Sequence, residues 1–306
     1  MSASDLAEVP EILPARKSPW RRFASEYARS RLALVGLVGV VLIAVAALFA
    51  PWVAPQNPYD LEHLEAMDIR LPPGSEAADA TRTYWLGTDG QGRDMFSAII
   101  YGLRISLGVG AGSALIAGIL GASLGLLAAY YGGRVDNIIM RLVDMQLSFP
   151  SILVALMILA VLGKGIGNVI LALVLVEWAY YARTVRATAM VERRREYIEA
   201  AQCLALPTRY VIFSHLLPNC MPPLLVVGTQ QVARAIALEA TLSFLGLGVP
   251  ITEPSLGLLI ANGYQYLLSG KYWISFYPGI ALILAIVALN LVGDQLRDML
   301  NPRLRR

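Results

Sequence analysis

The sequence predicts an all-α polytopic membrane protein, a transmembrane helical bundle of about six spans with both termini in the cytoplasm. Three observations carry that expectation. Hydrophobic residues make up 57% of the chain and charged ones only 15%, whereas soluble domains carry about a quarter charged residues. The apolar residues gather in runs long enough to cross a hydrocarbon core of about 30 Å. Lys and Arg then cluster between alternate runs, on one side of the membrane.

Taken in order, residues 1–31 form a cytoplasmic arm. Pro10, Pro14 and Pro19 punctuate it, and Ser18 caps a short helix with Pro19 at its first position. Trp20, Phe23 and Tyr27 beside Arg21, Arg22 and Arg29 suit a helix lying in the inner interface, from roughly Pro19 to Ser30. No cleavable signal is expected, because the first apolar run starts only at Leu32 and runs too long for a signal-peptide core. Residues 32–54 supply the first span, and residues 55–102 an extracytoplasmic segment with eight acidic residues against three basic ones.

The second span, Ile105 to Gly133, is charge-free; the pairs Gly108/Gly112 and Gly121/Gly125 suit close helix approach. The third, Met145 to Gly163, opens on Phe149-Pro150 and ends in the Gly163–Gly167 turn. The fourth runs from about Asn168 to Ala182 with Glu177 near its far end. The fifth, about Met221 to Leu245, contains Arg234 and Glu239. The sixth, Ile274 to Gly293, follows the interfacial anchor Lys271-Tyr272-Trp273, and residues 294–306 form a basic cytoplasmic tail. The third to fifth spans are short or interrupted, so five or seven stay open. Orientation follows from charge: the segments assigned to the inside hold eighteen Lys and Arg, those outside five.

Residues 183–220 make the longest inner connection. Glu192 to Leu206 has no internal Pro or Gly and reads as a helix closed by Pro207. Tyr197, Ala200, Ala201 and Leu204 recur at helical spacing, and Ala200, Ala201 and Ala205 leave one surface nearly bare. A small-residue face flanked by arginines suits docking of another protein, and the same pattern equally fits a helix folded back on the bundle.

Tyr197-Ile-Glu199-Ala200-Ala201-Gln-Cys-Leu-Ala205, followed by His215-Leu216-Leu-Pro218-Asn219, resembles the EAA loop of permease subunits in ATP-binding-cassette importers. Glu199, Ala200, Ala201, Leu216 and Pro218 match that pattern. Ala205 stands where glycine is usual, so ordinary helical angles are expected there. Trp85-Leu-Gly-Thr-Asp89-Gly-Gln-Gly-Arg93-Asp94, Tyr131-Gly-Gly-Arg134, Ser148-Phe-Pro150, Glu239-Ala-Thr-Leu-Ser-Phe-Leu-Gly-Leu-Gly248 and Asn290-Leu-Val-Gly293-Asp294 are similar to the dipeptide, oligopeptide and nickel branch. Their order resembles the second of its two paired permeases; Leu256 and Asn301 depart from residues common there.

The resemblance implies a type I importer permease fold (MetI-like), with residues 103–293 as a core of five spans that includes the coupling loop 183–220. It implies solute import by alternating access, powered by separate ATPases that use ATP, with no cofactor bound by this chain. The implied partners are a second homologous permease, two cytoplasmic ATP-binding subunits or one fused chain, an extracytoplasmic solute-binding protein, a peptide substrate and membrane lipid. The ATPase contact would fall on Tyr197, Glu199, Ala200, Ala201, Leu204, Ala205, Leu216 and Pro218. Nickel or another small solute is the alternative cargo, and a secondary transporter the alternative mechanism.

Enzyme readings fail on residue supply. There is no G-x-x-x-x-G-K-[ST], no Gly-x-Ser-x-Gly and no His-Glu-x-x-His. Two cysteines and two histidines form neither a disulfide framework nor a zinc site, and a net charge of +3 gives no case for nucleic acid. Arg234 and Glu239, as intramembrane charges, are candidates for the pathway or its gate. Five residues apart, they sit about 140° apart on a helix and point to different sides.

Overall fold

The computed structural model describes residues 25–60, 66–80, 82–250 and 252–300. The expected interfacial helix lies outside these except for helical residues 25–27, and so does the end of the basic tail. Helix α1 (Arg31–Leu48) starts where Ser30 Oγ accepts the Ala33 amide at 3.3 Å, and Phe49 separates it from one more turn, Ala50–Val53. Leu32, Val35, Val38 and Leu42 are exposed along its length, as a lipid-facing helix requires.

Helix α2 (Met95–Tyr131) begins ten residues before the expected second span. The charge-free run starts only after Arg104, but the true start is the cap: Asp94 accepts the Ser97 amide at 2.8 Å. Ahead of α2, strands β1 (Ser75–Glu76) and β2 (Thr83–Tyr84) form a small antiparallel hairpin. Burial and the Asp68 carboxylate, to which it donates at 2.7 Å, push the Tyr84 hydroxyl well above its usual range.

The expected third span is not one helix. α3 (Gly133–Ser148) and α4 (Ser151–Leu162) meet at a 93° bend. Pro150 pushes Phe149 out of the helical region, to φ −98° and ψ 144°, and both helices stop there. Gly163 and Gly165 then turn the chain with positive φ into α5 (Ile166–Glu192). α5 outruns its predicted end at Ala182 by ten residues and carries Arg183 and Arg186 within it.

The predicted inner helix 192–206 is also divided. Arg193–Arg195 turn the chain, and α6 is the short helix Glu196–Cys203. Ala205 does not keep helical angles: its φ is +51°. The Leu206 amide donates to Ala201 O at 3.2 Å and the Ala205 amide to Gln202 O at 2.9 Å, the paired bonds of a Schellman turn. The turn is made with alanine in glycine's place, because two carbonyl bonds and the anchored Leu206 hold it.

The next crossing, Thr208–Phe244, starts thirteen residues earlier than expected. It passes through a π-helical stretch, Val211–Leu216, before α7 (Leu217–Phe244). Pro218 has no N–H for the carbonyl a turn behind and its ring crowds that carbonyl, which accounts for the widened turn. Ser255 caps α8 (Leu256–Tyr264), and α9 (Trp273–Leu300) completes the bundle. Among the described residues five helical segments are long and apolar enough to cross a membrane, and the bent α3–α4 pair makes a sixth.

No hydrophobic force draws helices together in lipid, so close packing must do so. Gly121 and Gly125 of α2 allow it: a Cβ on Gly125 would lie 2.5 Å from Ala182 O of α5. Gly108 and Gly112 face open space instead, so only half of the predicted glycine pairs serve packing within this chain.

Candidate coupling surface and membrane-buried polar groups

Helix α6 is held by two side chains. Ile198 and Ala201 are buried in a cluster with Val211, Ile212, Leu216 and Cys220 of the following segment, Ala122 and Leu126 of α2, and Val185 and Ala189 of α5. The small helix is thus seated on the Val211–Leu216 stretch, in a cluster that side chains of the long helices also line. The eight candidate contact residues divide accordingly. Ala201 and Leu216 face inward and are 3% and 0% exposed. Tyr197, Glu199, Ala200, Leu204, Ala205 and Pro218 are exposed.

Polar contacts fix the seat. Tyr197 donates its hydroxyl to Glu192 Oε2 at 2.8 Å and accepts from Asn219 Nδ2 at 3.1 Å. Burial and the Glu192 carboxylate push that hydroxyl up to about 12, so it remains a donor at neutral pH. Three of the flanking arginines are tied to neighbouring helices. Arg186 pairs with Asp136 and Arg183 with Asp144, both on α3, and Arg193 donates to Ala129 O of α2 at 3.0 Å. A recess of about 220 Å³ remains beside α6, bordered by Glu199, Gln202, Arg193, Arg194 and Asp136. It is bordered by two carboxylates, of which Asp136 is already paired with Arg186, and by two guanidiniums.

Three charged side chains lie within the apolar stretches 168–182 and 221–245. Glu239 of α7 is fully buried; Ser106 of α2 donates to it at 2.8 Å and Ser243 at 2.7 Å. Arg234 points the other way, as its spacing predicts. Its Nη2 donates to Ser151 Oγ at 2.9 Å and its guanidinium lies 4.4 Å over the Tyr180 ring. Glu177 of α5 is the third, expected from the sequence near the far end of the fourth span. It sits mid-helix and is 0% exposed. The signal was available, since any carboxylate inside a span is expensive. Among the described residues no group of three or more His, Cys, Asp and Glu side chains is placed to hold a metal ion.

Comparison with known proteins decides what such a molecule is. Residues 121–306 match the family described as binding-protein-dependent transport system inner membrane component. Residues 18–73 match the N-terminal transmembrane domain of oligopeptide transport permease C. This chain belongs to that permease family. Among its relatives, the di/tripeptide transport system permease protein DppC of Pseudomonas aeruginosa is 40% identical, over 94% of this chain and 93% of that protein. A putative peptide transport system permease of Brucella suis is 39% identical over 99% of this chain and 96% of its own length. The glutathione transport system permease GsiD of Pectobacterium atrosepticum is 36% identical over 98% and 97%. A solved structure of the MetNI methionine transporter aligns with a TM-score of 0.54 at 19% identity, covering 68% of this chain and 98% of its own, and shows the shared fold.

As a permease of this family the chain is a multi-pass inner-membrane component that moves solute and leaves ATP hydrolysis to separate subunits. Membership implies an importer built with a second permease, ATPase subunits and a solute-binding protein. The bent α3–α4 pair, α5, α6 and α7 all fall within the matched region, so the candidate coupling surface and Glu177, Arg234 and Glu239 lie in the part of the chain that matches the family.

Proposed function

We propose that this permease carries di- or oligopeptides, and that the outward side of α6 is where an ATPase subunit drives it. The observation supporting the cargo is that relatives at 34–40% identity along nearly the whole chain carry dipeptide, di/tripeptide or peptide transport in their names. Glutathione, named for another relative, is itself a tripeptide, which keeps the class together. Support for the coupling role comes from the division of α6. Ile198 and Ala201 sit in a buried cluster that also holds side chains of α2, α5 and the start of α7, while Glu199, Ala200 and Leu204 stay exposed. A push on the outer side therefore reaches three spans through one buried cluster. On this reading Ala201 and Leu216 transmit the push and do not touch the ATPase, whereas Tyr197, Glu199, Ala200, Leu204, Ala205 and Pro218 meet it.

The partners on this reading are a homologous permease, two ATPases or one fused chain, and a binding protein over the acidic outer segment. The test is uptake of a labelled dipeptide by vesicles holding the reconstituted complex. ATP- and binding-protein-dependent uptake, competed by unlabelled di- and tripeptides and not by a nickel chelate, is expected. Competition by nickel alone would assign the other cargo.

A further inference from the structure

Glu177 differs from every other buried carboxylate among the described residues. Asp68 accepts from Tyr84, Asp89 holds Arg93, Asp94 caps α2, and Glu239 accepts from two serines. Glu177 is fully buried at the middle of α5, and neither of its oxygens has a hydrogen-bond partner. A lone carboxylate away from water is a costly arrangement unless a cation comes to it.

Arg234 of α7 reaches α5 at Tyr180, three residues or about one turn after Glu177. In this conformation the guanidinium is held elsewhere, bonded to Ser151 Oγ at 2.9 Å and stacked over Tyr180 at 4.4 Å. Ser151 is the first residue of α4, directly after the 93° bend. Gln231, one turn before Arg234 on the same helix, is also buried with its Nε2 unpartnered. An acceptor on α5 and a donor on α7 thus stand unmatched while the nearby cation is attached to the start of a half-span.

We propose that Glu177 and Arg234 are two halves of a membrane-buried ion pair, open here and closed in the other state of the transport cycle. The inference rests on the importer reading above only in requiring two states. Closing the pair detaches Arg234 from Ser151 and frees α4 at a joint where the helical hydrogen-bond ladder is already broken. The half-span then moves against α5 and α7 without breaking a helix. Each state has its own contact, Arg234 to Ser151 or Arg234 to Glu177, and that difference is what a switching bundle needs. Both are positioning residues for transport.

The test uses the assembled importer with Cys203 and Cys220 replaced by serine. In that background Glu177→Cys and Arg234→Cys are combined and oxidised with copper phenanthroline, without nucleotide and with ATP plus vanadate. The cross-link yield is expected to differ about fivefold or more between the two states, the lower end of usual conformational couplings. Should the cysteine pair fail to assemble, a double-mutant cycle decides. Glu177→Gln and Arg234→Gln are each expected to slow stimulated ATP hydrolysis about tenfold, the double variant no further, and the exchange E177R with R234E to recover part of the rate. Equal cross-linking in both states, or losses that multiply to about a hundredfold in the double variant, overturns the pair. A complex that switches as expected but ignores peptides contradicts the cargo reading and leaves the pair standing.

Discussion

Replacing Ala205 with glycine tests the turn that closes α6. Ala205 holds φ +51°, and the Leu206 amide is fixed to Ala201 O at 3.2 Å. The left-handed conformation costs an L-residue about 1–2 kcal/mol, and glycine is free of that cost. Glycine also loosens the unfolded chain, which returns about 0.4–1 kcal/mol. The net stabilisation is about 0.8 kcal/mol, or roughly fourfold in the equilibrium between closed and locally open turn. Hydrogen exchange of the Leu206 amide, read by mass spectrometry on the purified permease, reports that equilibrium. About fourfold slower exchange is expected for Ala205→Gly. Ala205→Val is expected to exchange faster, because a β-branched residue resists positive φ. Faster exchange with glycine and none of the damage with valine would mean that the helix runs straight through Ala205, and the Schellman turn would be refuted.

Ala201→Trp is expected to destabilise the permease itself, by about 1–3 kcal/mol or more, since the indole must enter the buried cluster around Ile198 and Leu216; lower thermal stability in detergent checks it. Glu239→Leu leaves the Ser106 and Ser243 hydroxyls without their acceptor, at about 1–3 kcal/mol each, so the yield of assembled complex is expected to fall more than with Glu239→Gln. A reporter placed near Glu199 is expected to read cytoplasmic and one near Asp79 external; the reverse would contradict the orientation drawn from the Lys and Arg distribution.

Much of this fold was legible because a membrane imposes simple demands. Charge-free runs located the spans, and the arginine-rich inner segments oriented them. The boundaries were less legible for physical reasons that particular residues show. Arg104 ended the apolar run, yet Asp94 caps α2 ten residues earlier, so hydropathy misjudged a helix whose start lies in a polar layer. Pro150 marked a break between α3 and α4, but the 93° bend depends on what the two halves pack against. Residues 193–195 contain no breaker, and the turn there comes from tertiary contacts such as that of Arg193 with Ala129 O.

The same limit applies to the site. Spacing separated Arg234 from Glu239 correctly, because one helix carries both. Glu177 gained its interest only when the structure left it without a hydrogen bond and placed Arg234 over Tyr180, one turn along the same helix. The division of α6 into an inward Ala201 and an outward Ala200 was equally hidden. Both alanines fit the periodic pattern, and only the position of the bundle decides which is covered.

The most direct test of the coupling account is to block the outward side of α6 while leaving its seat intact. Ala200 is exposed and Ile198 and Ala201 are buried, so Ala200→Trp adds bulk only on the side assigned to the ATPase. Co-purification of the ATPase subunits with this variant, beside its thermal stability in detergent and its peptide-stimulated ATP hydrolysis, is the measurement. An overpacking cost of about 1–3 kcal/mol at the contact corresponds to roughly tenfold or greater loss of attachment. That loss is expected, with stability unchanged and stimulation abolished. Full ATPase attachment with normal stimulation in a stably folded Ala200→Trp permease would contradict it and leave α6 as a structural cap on the bundle.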